Sequence, residues 1–210
     1  MLLVKINTTK KEVIKMSFYT NIIKTFNEAT HKEIDDGLLW YQTAQDECQA
    51  LADKYQLPKR IVVGVVSALS PTNKWSQNLK DADNMLACFV VGGYVEDTKP
   101  CTYKTMRDKA WSIPQSMPHT DEDVAFILRG PKITDFFYCI MGHDTCVIDG
   151  HAWCIAYADR RTMQEVPNIG KKLRAELQQA YVKAGKKHNV TAYQMQAITW
   201  LAWRRIHGVG

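Results

Sequence analysis

The run L-R-G-P-K-I-T-D-F-F-Y-C-I-M-G-H-D-T-C-V-I-D-G-H, Leu128 to His151, holds the order of elements to which the rest of the chain is fitted. Arg129-Gly130 reads as a tight turn. Pro131 then stands where proline suits the first turn of a helix, because a helix start has no use for the missing N–H. Lys132 follows at once, and an apolar run continues to Met141 before Gly142-His143-Asp144-Thr145 breaks it. Cys146-Val147-Ile148 delivers Asp149 to a second apolar segment, Gly150 to Ala158, whose helix Asp149 is placed to cap. The order is helix, glycine turn, helix opening on lysine, and an aspartate 17 residues past that lysine.

That order resembles the helix-hairpin-helix DNA glycosylases typified by endonuclease III, where Gly-x-Lys closes the hairpin and Val-Asp-x-His carries the catalytic aspartate. The matching residues are Gly130-Pro131-Lys132 and Ile148-Asp149-Gly150-His151. Val65 to Leu79, V-V-S-A-L-S-P-T-N-K-W-S-Q-N-L, is similar to the segment that faces DNA in that family, and Gln196 to Arg204 is similar to a run in small phage proteins of this type. The resemblance covers residues 60 to 160 best. It implies an all-α, helix-hairpin-helix DNA glycosylase-like fold, two helical lobes with a central cleft holding Asp149.

Composition is compatible with this. A chain of 210 residues, 46% hydrophobic, can bury a core of its own. The net charge of +5 favours a polyanionic partner such as duplex DNA. Six cysteines without a C-x-x-C pair and no signal peptide predict free thiols in the cytoplasm, the host's if the chain is phage-encoded. No apolar run approaches the roughly 20 residues of a membrane span. Residues 1–16 read as a flexible basic extension and 17–210 as a single all-α domain, expected to be a monomer, with the hairpin and aspartate region at about 120–160.

Along the chain, Thr30 and Glu33 form a capping box, and the apolar spacing from Ile34 to Tyr55 predicts a long helix ending before Pro58. Ile61 to Val66 is β-branched and reads locally as a strand; only the resemblance makes it a helix. After the turn at Ser70–Asn73 comes a helix with Trp75, Leu79, Ala82, Leu86 and Phe89 on one face. Tyr94 to Cys101 is a loop, Thr102 to Trp111 a short basic helix and Pro114 to His119 a linker, before a helix start at Thr120–Asp123. Asp159 to His188 carries eight Lys or Arg against three acidic residues, a local net charge of +5 that equals the excess of the whole chain. Thr191 caps a last helix through Arg205, with Trp200 and Trp203 as core.

Breaking an N-glycosidic bond leaves an electron-poor sugar, which a fixed carboxylate stabilises. Asp149 is the candidate for that role; the alternative is a cap alone, and the two coexist without conflict. Lys132 is either a nucleophile that forms a Schiff base, adding lyase activity, or a phosphate contact at a helix start. This turn keeps a single glycine, Gly130, where the family has two. Leu69 stands where the family commonly has a glutamine that fills the gap of a flipped base, and so is the base-wedge candidate. Ser70, Asn73, Lys74, Trp75, Arg129 and Gly130 are the DNA-binding candidates of this region, Trp75 as a stacking surface. Val166 to Lys172 looks like a second helix-hairpin-helix turn. There Gly170, Lys171 and Lys172 are phosphate contacts or a plain surface turn. The last cysteine is Cys154, so no C-terminal four-cysteine cluster motif exists, and Cys139, His143, Cys146, His151 and Cys154 fit no standard zinc spacing. No cofactor or metal is expected. The resemblance thus implies a DNA glycosylase-like enzyme that flips a damaged or modified base. The alternatives are a phage enzyme acting on hypermodified bases and a non-catalytic DNA-binding protein that keeps the hairpin.

Overall fold

The computed structural model describes residues 10–208, with side chains from Phe18 onward. Among the described residues there are ten α-helices and no strand. The chain divides into two compact units, 1–40 with 144–210 and 41–143, so the boundaries fall inside one long helix and just before Asp144. Of the extension expected over 1–16, residues 1–9 lie outside the described residues, and Lys10 opens the first helix, α1 (Lys10–Asn27).

The first unit contains α1, the first part of α2 (His31–Tyr55), α8 (Gly150–Tyr157), α9 (Lys171–His188) and α10 (Ala192–His207). Thr30 starts α2 as its sequence predicts: its hydroxyl accepts from Glu33 N at 3.3 Å, and its own N–H donates to Glu33 Oε2 at 2.8 Å. Thr191 and Gln194 make the same reciprocal box at α10. α1 packs against α8, α9 and α10, and their facing stripes close a core of Phe18, Ile22, Cys146, Ile148, Trp153, Leu177, Tyr181, Met195 and Trp203. Trp203 is buried as expected. Trp200 is only half-buried, with the Arg204 guanidinium 4.4 Å from its ring centre.

The second unit holds the rest of α2 with α3 (Lys59–Leu69), α4 (Trp75–Val90), α5 (Lys104–Ser116), α6 (Asp121–Leu128) and α7 (Pro131–Met141). α3 is its centre, buried at every residue from Ile61 to Leu69 and packed against α4, α5, α6 and α7. Its β-branched run is helical because burial on all sides outweighs a propensity difference of well under ~1 kcal/mol per residue. Two expectations are corrected here. Pro114 does not open a linker: α5 runs on to Ser116, because Ile113 and Pro114 are buried and a proline in the last turns forfeits a single backbone bond. The buried stripe of α4 is Asn78, Asp81, Ala82, Met85 and Leu86, rotated from the face set out above, so Trp75, Leu79 and Phe89 are only half-buried. A buried carboxylate explains the rotation. Asp81 accepts from Asn73 Nδ2, the Cys101 N–H and Gln77 Nε2, each at 2.8 Å, tying two loops to α4.

Gly37 marks a close approach of two helices in the first unit. A Cβ there would lie 2.8 Å from the Cα and N of Ile198 in α10. Gly37→Ala gains about 1 kcal/mol of helix propensity but forces two backbones apart, at a cost of about 1–3 kcal/mol. We expect a net loss of stability, measured as a lower midpoint of chemical unfolding with unchanged slope; an equal or higher midpoint would show that the two helices do not meet this closely.

Candidate functional site

Asp149, itself in an extended conformation, follows three buried residues, Cys146, Val147 and Ile148, that lie in no helix. Its Oδ1 accepts from Ala152 N at 2.9 Å, which makes it the N-cap of α8, while Oδ2 has no partner among the described residues. The capping role is therefore present, and it leaves half of the carboxylate open. Gly150 follows because a Cβ there would meet Met163 Sδ at 2.6 Å, so the loop after α8 lies against the turn that presents the aspartate. From α9, Arg174 Nη1 donates to the Ile148 carbonyl at 2.9 Å, and Gln178 Nε2 donates to the Cys146 carbonyl at 3.2 Å. His151 is half-buried, its ring edge-on to Trp200 at 6.4 Å.

The Arg174 bond brings the start of α9 beside Asp149. Gly170 is the N-cap of α9, and Lys171 and Lys172 in its first turn are exposed. The second hairpin expected from Val166 to Lys172 is not formed: α8 ends at Tyr157, and no helix lies between Ala158 and Gly170. What remains is a helix start with two lysines and no acidic residue in its first turn. Cations there oppose the helix dipole at a cost of about 0.3–1 kcal/mol each, which a bound anion would offset.

In the second unit, α6, a two-residue turn and α7 form the expected helix–turn–helix. Thr120 and Asp123 cap α6 reciprocally, and Pro131 takes the first position of α7. The turn differs in one respect. The left-handed residue is Arg129 at φ 55°, and Gly130 sits at φ −81°. Space is tight at Gly130: a Cβ would approach Ile133 Cγ1 at 3.1 Å, and that side chain would have to shift by a few tenths of an ångström. Lys109 Nζ and the Gly130 N–H both donate to the Leu128 carbonyl, closing the turn from beneath. Burial, and then the Arg129 guanidinium, hold the Lys109 ammonium below the usual lysine range. Arg129 itself is exposed and stacks over Phe126 at 4.9 Å. Lys132 is exposed in the first turn of α7, again without an acidic residue beside it, whereas α6 opens on three. The burial that a lysine nucleophile calls for is not present.

The 69–75 region is mostly committed to holding itself. Leu69 has no exposed surface and is not a wedge; the helical register of α3 turns it inward. The Ser70 hydroxyl donates to the Ser67 carbonyl, and the Asn73 amide donates to Asp81. Trp75 Nε1 donates to Glu47 Oε2 at 2.7 Å, and its ring meets Phe136 edge-on at 6.1 Å, so it is a strut before it is a stacking surface. Lys74 remains exposed. Cys139, Cys146 and Cys154 are buried, and no group of three or more His, Cys, Asp or Glu side chains is arranged to hold a metal among the described residues. A surface pocket lined by Tyr94, Glu96, Asp108, Trp111 and Gln115 contains none of the residues named from sequence. Arg174, Gln178 and Lys109 were not among the sequence candidates; the i, i+4 spacing of Arg174 and Gln178 on the basic helix is the one trace they leave there.

The model of a family described as a family of unknown function (DUF7178) matches residues 4–207. No curated protein and no solved structure matches the chain significantly.

Two substitutions test these surfaces without disturbing the fold. Gly170 has φ −67°, and a Cβ added there would meet nothing within 4 Å, so Gly170→Ala should change stability by no more than about 0.5 kcal/mol. Arg129→Gly relieves a left-handed residue, worth about 1–2 kcal/mol, against a similar entropic loss in the unfolded chain. Both should unfold at nearly the wild-type temperature, and both should bind duplex DNA more weakly in fluorescence anisotropy if the turns hold phosphates as proposed below. Unaltered affinity in both would remove these two turns from any phosphate contact.

Proposed function

The chain belongs to the DUF7178 family, and we propose that it is a DNA glycosylase-like enzyme of helix-hairpin-helix type, with Asp149 as the carboxylate that stabilises the sugar cation. One observation carries this reading: the half-open carboxylate of Asp149 stands at the start of α8 with the lysine-bearing start of α9 tied to the backbone beside it. A carboxylate needs its own charge to serve a cation, and phosphate contacts next to it bring the sugar within reach. In the reaction the bond from C1′ to the base nitrogen breaks and its electron pair leaves with the base. A water oxygen forms the new bond to C1′, and the proton it loses ends on the departing base. Asp149 offsets the positive charge that C1′ carries between these events.

Lys132 enters as a phosphate contact, in keeping with its exposure at the start of α7. The enzyme is then monofunctional, and borohydride should not trap it on abasic-site DNA; a Lys132-dependent adduct would reinstate the nucleophile. The full occupation of Asp149 Oδ1 by Ala152 N favours one second reading, a DNA-binding protein in which Asp149 only caps.

Asp149→Asn separates the two, because asparagine caps about as well as aspartate. We expect base release from duplexes carrying damaged or hypermodified bases to be lost while DNA affinity is kept or raised. Retained release would leave Asp149 as a cap. Binding itself should be electrostatic: six phosphate contacts lower affinity by roughly 10³-fold between 50 and 200 mM salt. An affinity indifferent to salt would count against both readings.

A further inference from the structure

Thr145 to Ile148 is an unusual piece of backbone for an all-helical protein. It has no regular secondary structure, Cys146, Val147 and Ile148 are buried, and no strand lies beside it among the described residues. Buried carbonyls need donors, and a sheet would supply them from a neighbouring strand. Here a helix face does so. Arg174 and Gln178 lie four residues apart on α9, a rise of about 6 Å along the axis. The carbonyls of Cys146 and Ile148 lie two residues apart on the segment. Each side chain meets one of them, Arg174 that of Ile148 and Gln178 that of Cys146, and Gln178 reaches the Thr145 hydroxyl as well, at 3.3 Å.

We infer that Arg174 and Gln178 are positioning residues, a side-chain clamp that fixes the backbone leading into Asp149 and thereby aims its carboxylate; this rests on the role given to Asp149 above. The carbonyl held by Arg174 belongs to the residue immediately before Asp149. On the other side the carboxylate is held by the Ala152 N–H. Movement of the carboxylate is thus restrained from both directions. Arg174 Nη1 donates to the Ile148 carbonyl, and Asp149 forms no ion pair among the described residues, so the tie to Asp149 runs through the backbone. Precise placement is what an electrostatic stabiliser requires, since a shift of about 1 Å can cost ~10²-fold in rate.

The test uses the full chain carrying Arg174→Met, which keeps the length and removes the donors, and Gln178→Leu, with Arg174→Lys as the conservative variant. Amide hydrogen exchange is read at Gly150–Trp153 and, for comparison, in α10. The clamp predicts that both apolar variants speed exchange at the start of α8 by about tenfold or more relative to α10, and that Arg174→Lys restores most of the protection. Uniform acceleration throughout the unit, or none at α8, would overturn it; if Arg174→Met does not fold, Gln178→Leu is scored by the same pattern. On any duplex from which base release is found, Arg174→Met should lower kcat about tenfold with KM nearly unchanged, and Arg174→Lys should restore most of it. An unchanged kcat there would overturn the positioning role. Wild-type protein that releases no base would refute the glycosylase reading alone, because the exchange pattern decides the clamp without it.

Discussion

Backbone groups that have no helical partner govern this structure. Each helix leaves four N–H groups at one end and four carbonyls at the other, and with ten α-helices and no strand among the described residues the chain must satisfy them by side chains or solvent. Thr30, Thr120, Asp149 and Thr191 take the open N–H groups at four helix starts, and Asp144 Oδ1 adds a bond from the Ala192 N–H at 2.8 Å. Lys109 takes the terminal carbonyl of α6, and Arg174 takes the carbonyl that precedes α8. A capping bond is worth about 1 kcal/mol, and a buried group left unpaired costs about 1–3 kcal/mol. These contacts mark the starts of α2, α6, α8 and α10 and the end of α6. Asp149 and Arg129 sit at two of those points, so the same contacts bear on where they are presented.

Charge is arranged to a different rule at different helix starts. α6 opens on Asp121, Glu122 and Asp123, which suit its dipole, and α9 closes on Lys186, Lys187 and His188, which suit it equally. The starts of α7 and α9 break the pattern with Lys132, Lys171 and Lys172. A sequence tuned only for helix stability would place acids there. α3 and α5 also open on cations, but Arg60 and Lys104 there face Asp121 and Asp108 at 3.7 and 2.6 Å. Lys132, Lys171 and Lys172 make no ion pair among the described residues, which is in keeping with the anionic partner proposed above.

Much of the fold was legible. Capping boxes and apolar spacing predicted α2, α6, α7, α8 and α10 nearly to the residue, because those signals act within a few residues of each other. α3 was not legible from its own residues, since Ile61 to Val66 favours a strand and only burial against four other helices makes it helical. The extent of α5 was hidden for a similar reason, as Pro114 reads as a stop until its burial is known. At the site, the capping geometry of Asp149 and the exposure of Lys132 follow from local order. The inward turn of Leu69, the strut made by Trp75 and Glu47, and the reach of Arg174 to Ile148 depend on contacts separated by 26 residues or more, or on packing from several helices, which no local pattern records.

The discontinuity of the first unit has a consequence for how the protein comes to be made. Residues 41–143 form an uninterrupted unit whose helices can pair as soon as they leave the ribosome. α1 must wait, because its partners α8, α9 and α10 begin at residue 150. At about 5–20 residues per second, α1 spends several seconds or more with its apolar face uncovered. Closing that long loop gives the first unit contacts of high sequence separation, the kind that slow folding. Nascent chains should therefore depend on holding factors over that interval, and the aspartate segment is among the last parts of the molecule to take its shape.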